Sequence, residues 1–89
     1  PQALFLMNSK FVAEQAGAVA KDIANLPPKD RAEKMYVKIL NRSATAAETD
    51  GALSYAAAFQ KQFPKMQESD AWQSLARILF ASNEFIYVD

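Results

Sequence analysis

Trp72, Leu75, Ala76 and Leu79 fall at i, i+3, i+4 and i+7, the spacing that puts four apolar side chains on one helical face. Ile78 and Phe80 widen that face, which predicts a helix covered on several sides. The apolar segment Phe85–Val88 follows with no break in hydrophobicity, as if returning across the same core. Four of the ten aromatic residues lie in this closing stretch, 71–89. It is the piece against which the rest of the chain is expected to pack, with Trp72 buried at its centre.

The preceding chain repeats the helical period. Ala3–Met7 is a short apolar run whose Ala, Leu and Met favour helix over strand. Ser9 can cap the next helix, with Lys10 as its first residue. Val12, Ala16, Val19, Ile23 and Leu26 then form a stripe, opposite Glu14, Lys21 and Asp22. Gly17 in its Ala-rich middle predicts the close approach of another helix. Pro27 and Pro28 end this helix, and Pro28 suits the first position of the next. There Ala32, Met35, Tyr36, Ile39 and Leu40 make the predicted buried face, with Arg31, Glu33, Lys34 and Lys38 in solvent.

After a connection at 41–44, Thr45-Ala-Ala-Glu48 reads as a capping box, the most specific local signal in the chain. The helix it opens is expected to reach about Gln62, burying Leu53, Ala56, Ala57 and Phe59 beside Tyr55, with Pro64 closing it. Ser69 or Asp70 caps the last helix. No strand pattern, repeat or linker is visible. The reading is an all-α, compact bundle of four main helices plus a short N-terminal one, in a single domain over 1–89.

Composition excludes more function than it suggests. A chain of 89 residues, 51% hydrophobic, supports one core. Ten basic residues balance ten acidic ones without a basic cluster, which argues against nucleic acid as a partner. With no Cys and no His, the chain lacks a thiolate nucleophile, the usual general base and the commonest transition-metal ligands. No stretch approaches the length of a membrane span.

The candidate sites are few. Glu48-Thr-Asp50-Gly51 resembles part of a calcium loop, but aligning Gly51 with the loop glycine puts Ala46 and Ala57 at ligand positions. Glu14, Glu48, Glu68 and Glu84 are not spaced to form a catalytic pair. Arg42, after the third helix, can pair with Glu48 or Glu84, or stay solvated near a helix C-terminus. Trp72 and Tyr36 offer a ligand platform on one reading and core on the other, and helical spacing favours core. No catalytic residue, cofactor or metal ligand is assigned.

Three stretches carry a resemblance: QALFLMNSKFV (2–12), YVKILNRSATAAE (36–48) and AWQSLARILFASNEFIYVD (71–89). They resemble the C-terminal portion of a domain of unknown function typical of large secreted proteins of Planctomycetes and related bacteria, which often carry cytochrome-c-like domains. Matching its pattern are Leu6, Met7, Asn8, Ser9 and Phe11, then Arg42, Thr45 and Glu48, then Ser82, Asn83, Glu84 and Phe85. Lys10 and Ala44 stand where the pattern has Pro, and Asn41 where it has Gly. These departures weaken local rigidity and change no candidate chemistry. The resemblance implies a secreted, periplasmic or cell-envelope location, and offers no catalytic residue to carry over. A partial likeness to helical modules of bacterial surface and calcium-repeat proteins rests on Tyr36, Ile39 and Arg42 followed later by Ser82, Glu84 and Phe85, but lacks the Gly-x-x-x-Trp expected after that turn.

The resulting expectation is a non-catalytic structural or interaction module of a larger secreted or envelope protein. The alternative is an accessory domain whose Arg42 or Glu84 completes an active or redox site formed mainly by upstream domains. Because the chain opens on a hydrophobic run at Pro1, it is expected to be a C-terminal fragment of a longer protein. Its partners would be upstream domains of the same polypeptide or a second protein. Leu4, Phe5, Leu6 and Met7 are the candidate docking surface, with weak self-association through them expected.

Overall fold

Among the described residues the apolar periods become four α-helices: α1 at Lys10–Ile23, α2 at Pro28–Leu40, α3 at Ala46–Gln62 and α4 at Glu68–Phe80. The computed structural model describes residues 10–82, and among them there is no strand. The all-α bundle is therefore the fold. The expected N-terminal helix, the Ser9 cap and the 83–89 tail lie outside the described residues.

α4 is the central element, packing against α1, α2 and α3 alike. Its buried stripe is Ala71, Trp72, Leu75, Ala76, Leu79 and Phe80. Facing it are Val12, Ala16, Val19, Ala20 and Ile23 of α1 and Ala32, Met35, Tyr36 and Ile39 of α2. Burying each large side chain contributes about 1.5–3 kcal/mol, so these interlocked faces hold the bundle together. At Gly17 a β-carbon would lie 3.4 Å from the Gln73 side-chain amide nitrogen of α4.

Several boundaries and faces differ from expectation. α1 stops at Ile23 rather than Leu26. Leu26 precedes Pro27, whose ring disfavours helical geometry in the residue before it. The chain instead closes with tight turns, Ala24 N–H to Lys21 O and Leu26 N–H to Ile23 O, leaving Leu26 half-buried against the core. Leu40 is likewise only half-buried. α4 starts at Glu68 with Gln67 as N-cap, not Ser69 or Asp70. Asp70 still closes the helix start, because its Oδ2 accepts from the Gln67 amide at 2.9 Å.

Ile78 is 51% exposed instead of widening the α4 face. At ~100° per residue it lies about 120° round the helix from Trp72, off the stripe. α3 buries Thr49 and Ala52, with Leu53, Tyr55, Ala56 and Phe59 half-covered and Ala57 exposed. Ala57 sits ~140° from Ala52 and so faces outward. α3 is joined to α4 partly by polar contact, through a 2.7 Å hydrogen bond between the Tyr55 and Ser74 hydroxyls.

Candidate functional site

The α2–α3 turn concentrates the polar residues marked in the sequence. Asn41 ends α2 in the left-handed region (φ 58°, ψ 36°), which Asn tolerates better than most residues. Its amide donates to Val37 O at 3.1 Å. The chain then extends to Thr45, the N-cap of α3. Thr45 Oγ1 accepts from the Glu48 amide at 3.1 Å, and Glu48 Oε1 accepts from the Thr45 amide at 2.8 Å. The predicted capping box is present in both halves.

Arg42 completes the cluster. Its Nη1 donates to Glu48 Oε1 at 2.8 Å and its Nη2 to Glu48 Oε2 at 2.7 Å, a two-pronged pair of the strong charge-assisted kind. Nη1 also donates to Ser43 O at 3.0 Å, while the guanidinium carbon lies 5.5 Å from the Tyr36 ring centroid. Among the described residues the carboxylate that Arg42 binds is that of Glu48; Glu84, the other one open to it, lies outside them. The Arg42 hydrogen bonds first, then the Thr45 amide, hold the Glu48 carboxyl down to about 2 from its ordinary 4.5, against partial desolvation. A carboxyl that stays ionised so far below neutrality is poorly matched to proton transfer. The arrangement acts as a lock on the turn.

A second cation cluster escaped the sequence reading. Arg31, assigned to solvent, has a side chain only 12% exposed. Its Nε donates to Leu26 O at 2.7 Å and its Nη2 to Ala24 O at 3.0 Å, which satisfies carbonyls left open after α1. Its Nη1 lies 3.1 Å from Glu68 Oε1 at the start of α4, and its guanidinium carbon lies 5.9 Å from the Trp72 ring centroid. One side chain thus ties the end of α1 to the start of α4. A faint signal was available: a cation in the first turn of a helix opposes the helix dipole unless outside partners hold it.

The remaining marked residues fall into place separately. Trp72 is 2% exposed and Tyr36 is buried, so both are core rather than a ligand platform. Glu14 is exposed. Ser9, Asn83, Glu84, Phe85 and the docking candidates Leu4, Phe5, Leu6 and Met7 all lie outside the described residues. Among the described residues, no three His, Cys, Asp or Glu side chains gather to hold a metal. No helix among them is long and apolar enough to cross a membrane.

Fold and site together define an all-α domain, with four helices among the described residues and a structural lock on its α2–α3 turn. Compared with family models, curated proteins and solved structures, the chain matches none.

Proposed function

We propose that this chain is a non-catalytic helical module that packs within, or docks onto, a larger secreted or envelope protein of the planctomycete type. The observation that carries this reading is the bonding of Arg42, Thr45 and Glu48 to one another: residues that stand out as a motif serve the turn itself. Asn41 adds support, because it holds the left-handed geometry natural to the Gly of the resembled pattern. The alternative, an accessory domain that completes a site formed by upstream domains, is weakened for Arg42 because Glu48 and Ser43 already engage its guanidinium. For Glu84 it stands without support.

The partner is then another part of the same polypeptide or a second protein, reached through Leu4–Met7 as the docking segment. Lysine-directed cross-linking of the native protein in its source cells, read by mass spectrometry, tests this. Cross-links from this module to one other segment or one protein partner are expected. Cross-links confined to the module itself would overturn the reading.

A further inference from the structure

Two of the five exposed large apolar residues share one groove. Met66 and Ile78, 48% and 51% exposed, line one open groove of about 560 Å³ together with Val12, Phe59 and Ala81. Phe63, 43% exposed, lies next to it, its ring tilted 49° against that of Phe59 at a centroid distance of 4.9 Å. The apolar side chains of the groove share its lining with Asp70, Gln73, Ser74 and Arg77, a mixed lining that suits a segment carrying both apolar and charged residues. Both ends of the described region emerge beside it, α1 beginning two residues before Val12 and α4 running into Ala81.

The lining charge distinguishes the two candidate segments. Arg77 also borders the groove, is exposed, and has no ion pair among the described residues. Asp70, the acidic residue of the lining, already accepts from the Gln67 amide. The segment 1–9 carries no charged side chain, whereas 83–89 carries Glu84 and Asp89 on either side of Phe85-Ile-Tyr-Val88. Those four apolar residues begin three positions after Ser82, so the reach to Phe85 is about 10 Å and to Val88 about 20 Å of extended chain. We infer that the groove is an intramolecular docking site for Phe85–Val88, with Arg77 receiving Glu84 or Asp89.

Because the chain has no Cys, paired cysteines report this directly. The probe is the full chain carrying Met66→Cys with Tyr87→Cys, oxidised at dilute concentration, with monomeric disulfide followed by mass spectrometry and folding by circular dichroism. Two comparisons accompany it: Val37→Cys with Tyr87→Cys, at an exposed α2 position outside the groove, and Met66→Cys with Phe5→Cys. A disulfide needs the two Cα atoms within about 7 Å, so a docked tail should close the first pair roughly tenfold faster than either comparison. Equal closure at Val37 would overturn the docking. Fastest closure at Phe5 would give the groove to the N-terminal segment, and predominant disulfide-linked dimers would give it to a second copy. Adding Arg77→Glu should slow the first pair several-fold at low salt, and an unchanged rate would remove the charge argument that selects this tail.

Discussion

α3 and α4 are both well-formed helices, yet opposite forces hold them. α3 is the longer, at 17 residues against 13, but buries only Thr49 and Ala52 fully. It is secured at its start by the capping box and the Arg42–Glu48 pair. α4 buries six residues along one face and touches all three other helices. A helix with little buried area depends on its termini, and one with a full apolar stripe depends on its neighbours. The first kind should respond to pH and to single polar changes, the second to loss of side-chain volume.

The largest effect is expected in α4. Trp72→Ala removes the biggest side chain of the core and should cost roughly 3–5 kcal/mol, comparable to the whole stability of a small domain. Loss of the cooperative urea transition, followed by circular dichroism, is the expected result. A variant that still unfolds near the wild-type midpoint would break the distinction between the two helices.

The α3 lock gives a smaller, pH-dependent effect. Glu48 has a lowered carboxyl pKa in the fold, about 2 against an ordinary 4.5. Its contribution is therefore complete above about pH 4.5 and is lost as pH falls toward 2. Solvent screening of a partly exposed pair reduces that contribution to about 1 kcal/mol. Glu48→Gln should be less stable than wild type by that amount near neutral pH, and the gap should close in acid. A gap that stays constant between neutral pH and about pH 2 would detach the ion pair from the stability of α3.

Thr45→Ala should cost ~1 kcal/mol, because the Glu48 amide loses its side-chain acceptor. An unchanged urea midpoint would show that the cap is dispensable. The smallest effect has the opposite sign. Gly51, in the second turn of α3, has open space where a β-carbon would sit. Gly51→Ala should stabilise by about 0.5–1 kcal/mol through helix propensity alone. Destabilisation there would mean that α3 is held by packing after all, sharpening the contrast in the other direction.

Much of this contrast was legible before any coordinates. The capping box needs only four consecutive residues, Thr45 to Glu48, and its geometry follows from the backbone of a helix start. The Trp72 stripe needs only the helical period. Those signals are local, and the structure bears out both. Arg42 had two partners open to it, and its pair with Glu48 reflects a short turn that places both on one side.

What the sequence by itself determined is the all-α class, the four helices of the described residues, the capping box and the burial of Trp72, each a consequence of spacing along one chain. The tertiary structure alone decided the rest. It took Arg31 out of solvent, because the open carbonyls after α1, Glu68 and the Trp72 ring converge on it from distant positions. It left Ile78 outside and made Ala52 rather than Ala57 the buried alanine of α3, because exposure depends on where neighbouring helices lie. Local periodicity says that a side chain is apolar and which way it points; only packing says whether anything is there to meet it.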